Sequence, residues 1–478
     1  MIFTSLNFFI FFSILIIVYF ITPVRYKWAI LLFFSYFYYF NTKPIFVLIT
    51  IWITVTTYIF TSLITRAENE SVKGVFLKLN IFLIILPLFF FKYYNSINTE
   101  LFSFLKTFHV QWTLPQFKYF LPIGISYYTF MAVGYTVDVY NEDIQNEKNL
   151  CILALFISFF PLILSGPIER AKNMIPQFKS LRNPDYITFT SGLKLILWGI
   201  FMKLVVADRI GIYVDAIYNN IYHHNGITLL IASLLYPFQV YADLGGYSLI
   251  SIGVSKTLGI HVMENFRRPF LSLSVSEFWR RWHISLISWL TDYIYTPLSF
   301  TLRKYKDFGI VFALMVTFFV SGIWHGAKLN YIAWGLFQGL LLSIEVFTNR
   351  KRRSFENKFN LKKKVWYVIP GICLTYSLFS ISQIIARSSC LSDSKLIFTK
   401  IVTLKGPIFL GSPSTIIYSL MGISFLLVKD FFDEYTQNKL ALFENKNKLV
   451  RTLSYSSIII IILLFGVFDG GQFIYFQF

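Results

Sequence analysis

The sequence predicts an all-α, polytopic membrane protein, and three features carry that prediction. Apolar runs recur from one end of the 478-residue chain to the other, many of them near the ~20 residues that a helix needs to cross a bilayer. Charged residues make up 14% of the chain and hydrophobic ones 56%. A soluble domain keeps roughly a quarter of its residues charged, so the polar surface of a water-soluble fold is missing. The 43 Lys and Arg outnumber the 24 Asp and Glu, and they fall in short connections between apolar runs. Cytoplasmic loops of membrane proteins have that distribution. The same placement argues against nucleic acid as the reason for the net charge, because no Arg/aromatic stripe stands outside the apolar context.

The elements follow in order. Phe8 to Ile21 has no basic residue before it, and Arg25 and Lys27 follow it, the reverse of a cleaved signal peptide. It reads as a first span with its N-terminus outside. Further candidate spans cover 28–40, 44–65, 75–95, 119–140, 150–165, 189–206, 227–241, 307–324, 330–347, 365–386, 414–428 and 453–468. The shorter of these read as tilted or re-entrant pieces. Arg66, Lys73 and Lys78 mark a cytoplasmic connection, as does the dense run from Arg350 through Arg353 to Lys362, Lys363 and Lys364. That run also suits anionic lipid headgroups. Without an internal repeat or a long polar linker, residues 1–478 read as a single membrane-embedded domain, with a core at about 119–347.

Residues 236–300 are less apolar, contain Gly245, Gly246, Gly253, Gly259 and Pro269, and read as broken or re-entrant elements. Such backbone is tolerated at membrane depth only inside protein or along a wet cavity, which makes this the place for a site. Three cysteines far apart (Cys151, Cys373 and Cys390) support neither a disulfide framework nor a metal site. Walker loop, HExxH and GxSxG patterns are all missing.

His325, in Ser321-Gly322-Ile323-Trp324-His325-Gly326, ends an apolar run. An ionisable group inside a membrane is a functional candidate by default, and an imidazole accepts a hydroxyl proton near neutral pH. The bland alternative is a histidine bonded to a neighbouring helix, with its glycines serving packing. Phe278-Trp279-Arg280-Arg281-Trp282-His283 reads as one helix with Phe278, Trp282, Ser285 and Trp289 on a face. Taken alone, its Trp and Arg residues suit an interfacial helix. Gln239 and Asp243, four apart, either orient an imidazole or an incoming donor, or bond each other. Leu121–Ser126 and Ser165–Arg170 read as helix breaks.

Several of these segments together resemble the membrane-bound O-acyltransferase (MBOAT) family, in the bacterial branch typified by the alginate O-acetylation protein. The likeness rests on LPIGISYYTF at Leu121–Phe130, SGPIER at Ser165–Arg170, Tyr236–Ser248, the long Asn265–Pro297 block with FWRRWH, GIWHGAKLNYIAW at Gly322–Trp334, and FIYFQF at Phe473–Phe478. The resemblance implies a ring of about 11–13 transmembrane helices with re-entrant segments around a central funnel or tunnel. It implies His325 and His283 as the catalytic pair. Trp279, Arg281, Trp282, Asp292, Trp324, Asn330, Gln239, Asp243 and Tyr247 follow as substrate-binding candidates, and the FWRRWH cluster moves from the interface to the reaction chamber. Departures occur at Asp243–Leu249, at Pro297–Phe300 and at Gln338-Gly339, where the family has His-Gly; both histidines stand.

The implied activity is transfer of an acetyl group from a cytoplasmic thioester across the membrane to an extracytoplasmic hydroxyl, in cell-surface polysaccharide or peptidoglycan O-acetylation. The donor is acetyl-CoA or an acyl-carrier thioester, used as a substrate and not as a bound cofactor; no metal is expected. Expected partners are membrane lipid, an extracytoplasmic acetyltransferase of the SGNH type and a polysaccharide acceptor. The implied location is the cytoplasmic (inner) membrane of a bacterium. D-alanyl transfer to teichoic acid from a carrier protein is the alternative within the family. A polysaccharide or lipid transporter is the alternative outside it, and the missing inverted halves speak against that reading.

Overall fold

A computed structural model describes residues 2–108, 115–117, 122–435, 443 and 445–468. Leu121, with the start of the expected 119–140 span, and the terminal Phe473–Phe478 motif lie outside the described residues. Among those described, the regular structure is helical throughout. Among the described residues, eight helices are long and apolar enough to cross a membrane, with shorter apolar helices at Leu6–Ile21 and Leu150–Ile163. The protein is an all-α, multi-pass membrane protein. Its contacts divide into two compact units, Met1–Ile196 with Ile250–Met263, and Leu197–Leu249 with Glu264–Phe478.

The first unit contains α1 (Leu6–Ile21), α2 (Lys27–Phe40), α3 (Ile45–Arg66), α4 (Glu70–Thr107), α5 (Ile125–Tyr140), α6 (Leu150–Ser158), α7 (Phe160–Ile163), α8 (Ala171–Lys179) and most of α9 (Tyr186–Phe201). Ser5 and Asn149 cap α1 and α6 through their side-chain oxygens, satisfying donors that a helix start leaves open. The many threonines of α3 do not interrupt it. Thr54 and Thr61 return their hydroxyls to the carbonyls of Thr50 and Thr57, each at 2.7 Å, so these two hydroxyls are satisfied within the helix itself. Lys27 departs from its reading as a loop charge. It is fully buried, donates to Asn183, and lies 4.0 Å from the centre of the Tyr19 ring.

Glu169 shows what the SGPIER segment does. Its buried carboxylate accepts from the Asn173 amide at 2.9 Å and from the Met263 backbone N–H. A Cβ on Gly166 would stand 2.5 Å from Leu162 Cα. Both are architectural contacts.

The second unit holds the end of α9, a π-helical segment at Met202–Ala207, α10 (Asp208–Tyr218), most of α11 (Gly226–Thr257), α12 (Val275–Arg281), α13 (Ile284–Leu290), α14 (Thr296–Thr301), α15 (Asp307–His325), α16 (Leu329–Lys358), α17 (Val365–Arg387), α18 (Leu391–Thr403), α19 (Pro413–Tyr435) and α20 (Lys448–Phe465). Two sequence readings are corrected here. Residues 236–257 are not broken; α11 runs on through Pro237, Gly245 and Gly246 as one 32-residue helix. The glycine at 246 serves packing, since a Cβ there would stand 2.8 Å from the Gly199 carbonyl oxygen. FWRRWH, conversely, is not one helix. α12 stops at Arg281, Trp282 is extended, and α13 begins only at Ile284. Phe278 and Trp289 therefore share no helix face.

Candidate active site

α15 and α16 form an antiparallel hairpin whose close contact is set by glycine. A Cβ on Gly322 would sit 2.4 Å from the Tyr331 carbonyl oxygen, and one on Gly335 would sit 2.3 Å from that of Phe318. Small residues let helix backbones approach in this way in membranes. Gly326, after the histidine, is closed off by the Tyr331 ring, 2.6 Å from a notional Cβ. The glycines around His325 thus admit the neighbouring helix and not a substrate. What they achieve is placement. His325 is the last residue of α15, half-buried, with its ring edge-on to Trp334 at 4.9 Å and to Trp324 at 4.9 Å.

His283 is held by different means. It lies in the break between α12 and α13 with φ 45° and ψ 51°, a left-handed conformation that is costly for any residue with a side chain. Backbone bonds on both sides enforce it. Arg267 N–H donates to the Arg281 carbonyl at 2.8 Å, and Ile284 N–H donates to the Asn265 carbonyl at 2.8 Å. The Asn265 side chain completes the brace, its Oδ1 accepting from the Ser285 backbone N–H at 3.2 Å and from Ser285 Oγ at 2.9 Å. Phe266 packs against both Trp282 (5.2 Å) and His283 (5.9 Å). The imidazole is buried, and its Nδ1 has no hydrogen-bond partner among the described residues. Strain maintained by surrounding structure, with a polar atom held in reserve, is a recurrent property of functional sites.

Both histidines line one narrow cavity of about 50 Å³, room for a few waters or a two-carbon acyl group at roughly 10–15 Å³ per water. Its other walls are Tyr236, Val240 and Leu244 of α11, Trp279, Trp282 and Leu286, Tyr331 and Trp334 of α16, and Phe379, Gln383 and Ala386 of α17. Aromatic contacts stiffen these walls. Trp279 meets Trp334 at 5.9 Å and Phe318 at 5.0 Å, and Phe379 meets Trp282 at 4.9 Å. Trp324 is buried just behind, with its ring 6.1 Å from His283. The departure at Gln338 has a visible use. Its Oε1 accepts from Trp279 Nε1 at 3.3 Å, and its Nε2 donates to Ser382 Oγ at 2.7 Å, so it ties α12, α16 and α17 together.

The remaining sequence candidates do not line this cavity. Arg281 is engaged by Glu277 (2.8 Å) and Glu434 (2.9 Å), and Glu434 also takes Arg268 at 2.7 Å. Asp292 is exposed in a π-helical turn at Thr291–Tyr295. Asn330 donates to the Ile385 and Ser388 carbonyls, both at 3.1 Å, binding the start of α16 to the end of α17. Asp243 forms a buried ion pair with Lys203 at 2.7 Å; Lys203 also meets Asp208 at 2.7 Å and lies 5.5 Å from the Tyr247 ring centre. Gln239, one turn before Asp243, packs its amide against Gly211 of α10. Sequence reasoning passed over Asn265, Tyr236, Tyr331, Trp334 and Gln383. A neutral Asn, lone aromatics and an amide in apolar helices carry no charge cost that would single them out.

The family model described as MBOAT, membrane-bound O-acyltransferase family, matches residues 34–369. The chain belongs to the membrane-bound O-acyltransferase family. That span includes both histidines and every wall of the cavity except Phe379, Gln383 and Ala386. Among its relatives, a probable alginate O-acetylase of Pseudomonas syringae pv. tomato is 34% identical over 369 residues, which cover 74% of this chain and 68% of the relative. A peptidoglycan O-acetyltransferase of Helicobacter pylori is 29% identical over 371 residues, covering 72% and 67%. A teichoic acid D-alanyltransferase of Streptococcus thermophilus is 31% identical over 354 residues, covering 70% and 80%. This MBOAT protein is an O-acyltransferase of the alginate O-acetylase-like branch.

Proposed function

We propose that this O-acyltransferase moves an acetyl group from a thioester, acetyl-CoA or an acyl carrier, at the cytoplasmic face of a bacterial inner membrane to a hydroxyl on the opposite side. The product is O-acetylated cell-surface polysaccharide or peptidoglycan, reached directly or through an extracytoplasmic SGNH-type partner acetyltransferase. The observation that supports this reading is the acyl-sized cavity lined by both His283 and His325. The expected N-terminus outside belongs to the same proposal, and is supported by the basic connection at Arg25 and Lys27 after the first span.

In the proposed step a His325 ring nitrogen takes the acceptor hydroxyl proton as its oxygen attacks the thioester carbonyl. The C–S bond then breaks, and the thiolate leaves and is protonated. A positioned base of this kind contributes about 10²–10⁴-fold. His283, whose Nδ1 has no hydrogen-bond partner among the described residues, is the group that can donate to the oxyanion. Arg281, also considered for that role from sequence, does not line the cavity and pairs with two carboxylates. Trp279, Trp282 and Trp334 wall the cavity with aromatic rings, a low-dielectric lining that strengthens each electrostatic contact inside it.

D-alanyl transfer is the second reading, favoured by the likeness to the teichoic acid D-alanyltransferase. Mass spectrometry of surface polymers, with and without this gene, separates the two. Loss of acetyl esters supports the proposal, loss of D-alanyl esters supports the second reading, and unchanged polymers contradict both.

A further inference from the structure

Beside the two-histidine cavity, at the end of α17, lies a guanidinium that the proposed chemistry does not use. Arg387 donates through Nη2 to Asp215 Oδ1 at 2.7 Å. It lies 5.4 Å from the ring centre of Tyr218 and 5.9 Å from that of Tyr236. Tyr236 is itself a cavity wall, as are Gln383 and Ala386, one turn and one residue before Arg387. Asn330 fixes this end of α17 beside the start of α16, only a short turn after His325.

The ion pair is open on one side, with the Asp215 side chain 42% and the Arg387 side chain 19% exposed. A guanidinium carries five N–H donors, and among the described residues Arg387 gives one of them to a carboxylate. The rings of Tyr218 and Tyr236 pack near the group and restrict its orientation. The cavity walls themselves are aromatic, aliphatic, imidazole and amide. This end of α16 and α17 is the one opposite the basic run from Arg350 to Lys364, hence the end facing away from the cytoplasm by the positive-inside rule.

We infer that Arg387 is an acceptor-side anion site: the molecule that offers its hydroxyl to His325 carries a carboxylate or phosphate, which Arg387 takes while Asp215 aims its guanidinium. A planar fork of this type matches either anion, and a lysine in its place would supply only a point charge. The inference rests on the reading of His325 as the acceptor-side base. Its test is therefore a binding measurement that does not require turnover.

The full-length protein in lipid nanodiscs is titrated by ligand-observed NMR with two matched pairs of probes, glucuronate against glucose and glycerol 1-phosphate against glycerol. The expected result is that the anionic member of at least one pair binds about 10-fold or more tightly than its neutral partner. The pair that separates identifies carboxylate or phosphate. Arg387→Gln abolishes the preference, Arg387→Lys keeps part of it, and His325→Ala leaves it intact. If Arg387→Gln does not fold, Asp215→Asn serves in its place. With its competing charge removed, anion affinity should rise by about 3–10-fold.

No anionic preference in the wild type overturns the inference, as does a preference that survives Arg387→Gln or an Asp215→Asn variant with unchanged or weaker anion binding. Failure of the base reading would register elsewhere, as acyl transfer persisting in His325→Ala.

Discussion

Asn265→Ala is the substitution that most sharply tests how His283 is held. Asn265 is not among the cavity-lining residues, yet its Oδ1 is the acceptor for both the backbone N–H and the hydroxyl of Ser285, two residues past His283. Truncation leaves two buried donors without their acceptor, at about 1–3 kcal/mol each. The expected loss of stability is about 2–6 kcal/mol, reduced by whatever the hydroxyl recovers by rotating toward another acceptor. The left-handed backbone at His283, itself worth about 1–3 kcal/mol of strain, then loses part of its restraint.

Because Asn265 acts through His283, kcat should fall while the acceptor KM changes little. Asn265→Asp, which keeps the acceptor oxygen, should restore most of both stability and kcat. The assay pairs thermal unfolding in detergent with acyl transfer from a radiolabelled thioester. Adding Ser285→Ala to Asn265→Ala should cost less than the sum of the two single changes, because one of the orphaned donors is then gone. Wild-type kcat and stability in Asn265→Ala would refute the bracing argument, and so would full additivity of the pair.

Three further outcomes follow from the same structure. His283→Gly and His283→Ala should both lose activity, but the glycine variant should unfold at the higher temperature, by the equivalent of about 1 kcal/mol, since glycine alone adopts φ 45° freely; a more stable alanine variant would contradict the strain at this position. Gly322→Ala should destabilise by about 1–3 kcal/mol, because its Cβ meets a backbone carbonyl at 2.4 Å, whereas Gly339→Ala, which meets a flexible Met315 sulfur at 3.0 Å, should cost clearly less in the same thermal assay. Lys203→Met should cost about 3–5 kcal/mol by removing the cation that buried Asp208 and Asp243 share. The triple variant Lys203→Met, Asp208→Asn, Asp243→Asn should regain much of the lost membrane level on immunoblotting.

The fold class was legible because hydropathy and loop charge are local properties, and each helix able to cross the membrane shows them without reference to its neighbours. His325 was legible for a related reason, since an ionisable group at the end of an apolar run is costly wherever the rest of the chain lies. What the sequence concealed was set by distant contacts. The FWRRWH helix breaks where Asn265, twenty residues before Ser285, supplies the bonds that another turn of helix would have made. Residues 236–257 stay helical despite Pro237 and their glycines, because a neighbouring backbone occupies the space that Gly246 leaves. Asp243 read as a candidate for the donor side, yet its partner is Lys203, forty residues away and in a π-helical segment with no signature in the local pattern. Arg281 was chosen for its charge, and the carboxylate of Glu434 that engages it lies on another helix.

The central claim is that an acyl group is transferred in the cavity shared by His283 and His325, with His325 as base. The most direct measurement compares acyl-ester content of surface polymers, by mass spectrometry, in cells lacking the gene and complemented with wild type or with His325→Ala at matched membrane levels. The account predicts esters restored by the wild type and absent with His325→Ala. Esters restored by His325→Ala would contradict it.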